Sequence, residues 1–213
     1  MKPALRLTLL ALIVSAGGCT VPERSRALND ANVSATTSAT QVCVSCHGAG
    51  GNAMSGNFPN LAGQQKGYLI EQLKAYRSHS RSDADAVAYM WGMTAHLSDA
   101  QIDGLASYYA SQAPHAPHAS APATSSAGAT LYQQGIAAAN VVACASCHGS
   151  SAEGSTQFPR LAGQHGAYLV KQLMIFQKTN QRPEGAVMQT MAHNLTVQNM
   201  RDVAVYLEGL GPR

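Results

Sequence analysis

Cys43-Val44-Ser45-Cys46-His47 and Cys144-Ala145-Ser146-Cys147-His148 are the two stretches on which the fold turns. Each sets two thiols three residues apart, with a histidine directly behind the second. Their surroundings recur with them. Phe58-Pro59-Asn60-Leu61-Ala62-Gly63-Gln64 returns 100 residues later as Phe158-Pro159-Arg160-Leu161-Ala162-Gly163-Gln164. Tyr68-Leu69 and Gln72-Leu73 return at the same interval as Tyr168-Leu169 and Gln172-Leu173. Met90, Met93 and Leu97 return 98 residues on as Met188, Met191 and Leu195. Four landmarks in one order, at nearly constant spacing, mark a tandem duplication.

The duplication sets the outline. Residues 41–112 and 128–213 read as two units, and 113–127, rich in Ala, Pro and Ser, as the linker between them. His115 and His118 fall in that linker and read as solvated side chains rather than a metal-binding pair. Each unit has helical periodicity. Tyr68, Leu69, Leu73 and Tyr76 share one face of a helix starting near Gly67. Ser98 with Gln101 three residues later is a capping-box pattern, followed by Ile102, Leu105 and Tyr109 at helical spacing. After Thr196 the inward residues are Met200, Val203, Ala204 and Leu207. A short helix over 129–138 is expected ahead of the second cysteine pair, whereas the matching part of unit one has no such pattern. No hairpin signal is present, so the fold class expected is all-α.

The first residues read as an address. Lys2 and Arg6 precede an apolar run, Leu7 to Val14, and the small residues Ser15 to Gly18. That is the layout of an export signal over 1–18. Cys19 follows at once, and Ala16-Gly17-Gly18-Cys19 resembles a bacterial lipobox, although Ala16 stands where Leu is commonest. Lipidation would explain an unpaired thiol in an exported chain. Residues 19–40 read as a flexible tether. The expectation is a periplasmic protein held to a bacterial membrane through Cys19. Composition excludes other classes. Only 12% of the 213 residues are charged, and a net charge of +3 without a dense basic cluster gives no basis for nucleic-acid binding. No apolar run of about 18 residues suits a membrane-embedded protein.

Two thiols at i and i+3 lie on one side of a helical turn, so they can reach the two vinyl groups of one haem. The adjacent histidine then projects at the iron. This is the attachment pattern of c-type haem, and it appears twice: Cys43, Cys46 and His47, then Cys144, Cys147 and His148. A thioredoxin-like dithiol would want a βαβ context and leaves the histidine idle. Structural zinc would need further ligands beyond each Cys, Cys, His set, and structural disulfides likewise give the histidine no role. Haem also answers a stability problem. Units of roughly 70–85 residues with few aromatics are near the lower limit for a self-sufficient core. A covalently held porphyrin would supply the missing apolar body.

The second axial ligand separates carrier from catalyst. Iron held by one histidine is open to small ligands; iron held by histidine and methionine is closed and suits electron transfer. Met90 with Met93, and Met188 with Met191, recur at matched places, which favours one ligand in each pair. Spacing alone leaves the choice within each pair open. His79, His96, His165 and His193 are rivals, but none occupies a repeated position.

The combined signature, two Cys-x-x-Cys-His motifs each followed by Phe-Pro-x-Leu-Ala-Gly-Gln, Tyr-Leu-x-x-Gln-Leu and Met before Leu-Ser or Leu-Thr, resembles dihaem cytochrome c4 over residues 41–213. The resemblance implies two tandem class I cytochrome c domains in a pseudo-twofold pair, with two covalent haems near the domain interface. It implies Met90 and Met188 as ligands, each seven residues before Leu97 or Leu195, with Met93 and Met191 as the fallback. It further implies that Pro59 and Pro159 offer backbone carbonyls to the rings of His47 and His148. The function implied is electron carriage, not catalysis. The donor would be a quinol-oxidising complex or another cytochrome, and the acceptor a haem–copper terminal oxidase. A dedicated electron-transfer subunit of a periplasmic dehydrogenase is the main alternative; a dihaem peroxidase-like enzyme and a haem sensor are more distant ones.

Overall fold

A computed structural model describes Leu28, Asp30 and residues 32–114 and 125–211. The first half holds α1 (Ala35–Ser38), α2 (Val44–His47), α3 (Lys66–Arg77), α4 (Trp91–Thr94) and α5 (Asp99–Ala110). The second holds α6 (Ser126–Gln134), α7 (Ala145–His148), α8 (Gly166–Lys178), α9 (Ala186–Ala192) and α10 (Val197–Glu208). Among the described residues there is no β-strand, only one isolated bridge between Ile136 and Val141. The fold is all-α and the two halves repeat one plan, as the duplication requires.

The closing helices start where their caps dictate. Ser98 Oγ accepts the Gln101 N–H, and the Gln101 side chain accepts the Ser98 N–H in return. Thr196 and Asn199 form the same reciprocal box at the start of α10. Each box satisfies two amide donors that a helix end would otherwise leave orphaned. The buried face of α5 is Ile102, Leu105, Ala106 and Tyr109; that of α10 is Met200, Val203, Ala204 and Leu207.

Three expected boundaries move. The tether over 19–40 ends earlier than expected, because helical backbone begins at Ala35, capped by Ser34 Oγ accepting the Thr37 N–H. It continues through a π turn, Ala39–Cys43, directly into α2. Thr36, Thr37, Ser38 and Thr40 are modest helix formers without apolar periodicity. The segment is held by packing instead, with Ala39 only 3% exposed. In the second half, α6 begins at Ser126, inside the stretch expected as linker, and stops at Gln134 rather than running to 138. Gly135, at φ 72°, breaks it there. His115 and His118 lie outside the described residues, as do 1–27, so the export signal and Cys19 do too.

The first and last helices of each half cross closely, and the repeat makes that crossing in two complementary ways. In the first half Gly104, on α5, faces the Ala35 side chain; a Cβ on Gly104 would lie 2.7 Å from Ala35 Cβ. In the second half the glycine is on the other helix. A Cβ on Gly128, in α6, would fall 2.0 Å from the Asp202 carbonyl oxygen of α10. Asp202 stands at the repeat position of Gly104, so the small residue has changed sides while the crossing has kept its closeness. Backbone cannot yield as a flexible side chain can. Gly128→Ala is therefore expected to destabilise the second domain by about 1–3 kcal/mol, read as a lower denaturant midpoint of the holoprotein.

The halves meet through polar groups. Arg81 and Arg182 are 2% and 6% exposed, and they share the carbonyl oxygens of Gln72 and Gln172. Arg81 Nη1 donates to Gln72 Oε1 at 2.6 Å and Nη2 to Gln172 Oε1 at 3.1 Å; Arg182 reverses the pattern at 3.0 and 2.6 Å. One carboxylate, Asp83, pairs with Arg81 at 2.7 Å. Buried like charges are costly unless each is paired or bonded, so this arrangement fixes the relative position of the halves rather than adding stability cheaply.

Candidate functional site

The short helices α2 and α7 carry the site residues. One turn places Cys43 and Cys46 with His47 behind them, and another places Cys144 and Cys147 with His148. All four cysteines are free thiols. Burial pushes the Cys43 thiol above its ordinary range and the Cys144 thiol up to about 11. Both therefore remain thiols near neutrality. Among the described residues no three His, Cys, Asp or Glu side chains converge as a metal cage would need. No described cysteine is in a disulfide.

Each helix ends on a glycine at positive φ, Gly48 at 72° and Gly149 at 84°. The chain reverses there and brings the Phe-Pro loop back over the histidine. His47 Nδ1 lies 3.0 Å from the Pro59 carbonyl oxygen, and His148 Nδ1 lies 3.0 Å from that of Pro159. The carbonyl only accepts, so Nδ1 carries the proton and Nε2 is the nitrogen left to bind a metal. Burial lowers both imidazoles below the usual histidine range, and the bond to the proline carbonyl opposes this only in part. Each ring is therefore neutral at pH 7. Phe58 stands edge-on to His47 at 6.3 Å, and Phe158 to His148 at 6.1 Å.

The methionines lie on the segment after the third helix of each half. Met90 ends a π turn, Ala86–Met90, and Met188 lies within α9. A π turn is a frequent mark of a functional position. In the first half the neighbour Tyr89 packs edge-on against Phe58 at 5.8 Å, which ties the Met90 segment to the His47 loop. Met90 is half-buried, while Met93 is 46% exposed. Met188 and Met191 are both half-buried, so burial does not separate them.

The rival histidines are placed elsewhere. His79 stacks on Trp91 with ring centroids 4.0 Å apart. His165 is buried between the halves, Nε2 3.0 Å from the Ala53 carbonyl oxygen. His96 and His193 are exposed. Sequence reading missed the polar groups that join the halves: Arg81, Arg182, Gln64, Gln164, Gln72 and Gln172. Their signal was partly present: Gln64 and Gln72 recur 100 residues later as Gln164 and Gln172, whereas Arg81 and Arg182 lie 101 residues apart, off the interval of their neighbours.

A helical turn bearing two free thiols, a buried neutral histidine with one nitrogen fixed on a carbonyl, and the same set repeated define a dihaem c-type cytochrome. Comparison with known proteins identifies its kind. The cytochrome c family matches residues 33–113 and 125–211. Cytochrome c-552 of Acidithiobacillus ferridurans is 37% identical over 96% of this chain and 86% of its own length. The solved cytochrome c4 of Acidithiobacillus ferrooxidans is 39% identical, with a TM-score of 0.74, over 79% of this chain and 98% of that one. The thiosulfate dehydrogenase electron acceptor of Stutzerimonas stutzeri is 38% identical over 82% of both chains. The chain belongs to the cytochrome c4 family. It is an electron-transfer protein carrying two covalently bound haems c.

Proposed function

We propose that His47 with Met90, and His148 with Met188, hold the two irons, and that Cys43, Cys46, Cys144 and Cys147 form the thioethers. The observation that carries this reading is the pair of proline-bonded histidines, each leaving Nε2 free behind two free thiols. The donor set fits the cofactor in a second way. Buried donors without a partner, Arg160 Nε and Nη2, Gln172 Nε2 and Arg182 Nε, lie on the interface residues. A haem brings carboxylates of the sign they require. When bound, each haem supplies a one-electron couple. The chain's own residues fix the ring nitrogens, shield the metal and hold the two domains in register.

The protein then passes electrons in the periplasm from a quinol-oxidising complex or another cytochrome to a haem–copper oxidase. Cys19 is its lipid anchor, and the two haem domains, expected at 41–112 and 128–213, extend back to Ala35 and Ser126, which shortens the linker between them. Among the described residues no helix is long and apolar enough to cross a membrane. Cys19→Ser is expected to move the cytochrome from the membrane fraction to the soluble periplasmic extract, read by haem staining. Retention in the membrane fraction would contradict the anchor. Stopped-flow mixing of the reduced protein with candidate oxidases tests the acceptor; oxidation of both haems within the turnover time supports it, and none refutes it.

A second reading has its own support. A relative 38% identical is named as the electron acceptor of a thiosulfate dehydrogenase. Under that reading the chain works docked on a periplasmic dehydrogenase. A stable one-to-one complex on pull-down would favour it over a diffusing carrier.

A further inference from the structure

The Pro59–Asn60 peptide unit has hydrogen bonds at both ends. Its carbonyl oxygen accepts from His47 Nδ1 at 3.0 Å. Its N–H, on Asn60, donates to Gln164 Oε1 of the other domain at 2.8 Å. The Pro159–Arg160 peptide repeats the arrangement. Its oxygen accepts from His148 Nδ1 at 3.0 Å, and its N–H donates to Gln64 Oε1 at 2.7 Å. Each glutamine also donates back, Gln164 Nε2 to the Asn60 oxygen at 2.9 Å and Gln64 Nε2 to the Arg160 oxygen at 3.0 Å. Both glutamines are 6% exposed. The geometry therefore runs from one domain's glutamine, through a single planar amide, to the other domain's histidine.

A peptide is one conjugated unit, so the two bonds act on the same electrons. An acceptor on the N–H drives charge toward the oxygen and makes it a better acceptor in turn. A stronger bond to Nδ1–H gives the imidazole more anionic character and raises its basicity as a ligand. A more basic ligand favours ferric over ferrous iron. We propose that Gln164 and Gln64 are positioning residues that each lower the reduction potential of the haem in the opposite domain, Gln164 acting through Pro59 on His47 and Gln64 through Pro159 on His148. This rests on His47 and His148 being axial ligands. The consequence is that closure of the domain interface is coupled to the potential at both irons.

The same glutamines also hold the interface, so the test must separate tuning from scaffolding. Gln164→Met and Gln64→Met keep side-chain length but remove the acceptor. Both are made in the full-length holoprotein and titrated spectroelectrochemically, with each haem assigned by its paramagnetically shifted ligand methyl resonances. Gln164→Met is expected to raise the potential of the His47 haem alone, increasing its ferrous-to-ferric ratio at fixed potential by roughly two- to tenfold. The His47 Nδ1–H resonance should move upfield in the same variant. Gln64→Met should act only on the His148 haem. Gln164→Glu keeps an acceptor toward the Asn60 N–H and covers the case in which the Met variant fails to fold. It should leave the His47 haem unchanged or lower in potential. Equal shifts at both haems, a shift confined to the variant's own domain, no shift, or a rise in the Glu variant would overturn the proposal. Failure of the axial-ligand reading is distinct: the parent protein would then lack the histidine–methionine signature before any glutamine was changed.

Discussion

Replacing Cys43 and Cys46 by serine is expected to leave the first domain unfolded. The exported chain should carry one haem instead of two and lose roughly the helical signal of α3 and α5 in far-ultraviolet circular dichroism. The reason lies in the core. Its buried apolar residues are Ala39, Leu69, Leu97, Ile102, Leu105, Ala106 and Tyr109. Two of the seven are alanines, which bury little. Each larger side chain contributes about 1.5–3 kcal/mol on burial, while ordering the backbone costs roughly 1–2 kcal/mol per residue. Five such side chains cannot order a domain of this length, so the porphyrin must form the rest of the apolar interior. The second domain has twelve buried residues in its core, Tyr132, Met200 and Val203 among them. The matching Cys144→Ser, Cys147→Ser variant should therefore retain more residual structure than the first. A cooperative, native-like thermal transition in the Cys43, Cys46 variant would contradict this account of the core.

Met90→Ala and Met188→Ala are expected to have the largest effects on function. Each should lower the potential of one haem by on the order of a few tenths of a volt, within the span that axial ligation controls. Each should halve the weak long-wavelength ferric band and let carbon monoxide bind one reduced haem per chain. Met93→Ala should do none of these things: Met93 is 46% exposed, whereas Met90 is half-buried. Burial does not make that distinction in the second domain, so Met191→Ala is the more searching control there. Loss of the band in Met191→Ala, with its retention in Met188→Ala, would reassign that ligand.

The sequence carried the site more fully than it carried the fold. Each attachment motif is contiguous, so five residues were enough to recognise it. The capping boxes at Ser98 and Thr196 were legible for the same reason: their hydrogen bonds close within three residues. The start of the first domain was not. Residues 35–43 hold three threonines and a serine with no apolar stripe, and their helix depends on a neighbour 69 residues away, Gly104, which faces Ala35. The interface was hidden in a further way. Gln64 and Gln164 stood in plain view within the repeated Leu-Ala-Gly-Gln motif, but their partners lie in the opposite copy. A repeat shows that a position matters; it does not show that its partner sits across the pseudo-twofold axis. Arg81 and Arg182 were passed over because arginines near a loop ordinarily face water, whereas here both are buried. The drift in the repeat also has a structural counterpart. Eight residues separate Arg81 from Met90 but five separate Arg182 from Met188, and the longer first-domain segment forms a π turn where the second has an ordinary helix.

Closure of both irons by histidine and methionine is what would make the protein a carrier. An optical spectrum of the holoprotein, oxidised, then reduced, then reduced under carbon monoxide, tests it most directly. Two haems per chain are expected, with the weak long-wavelength band in the ferric form and a reduced spectrum that carbon monoxide leaves unchanged. Ready binding of carbon monoxide to either haem of the unmodified protein would contradict it.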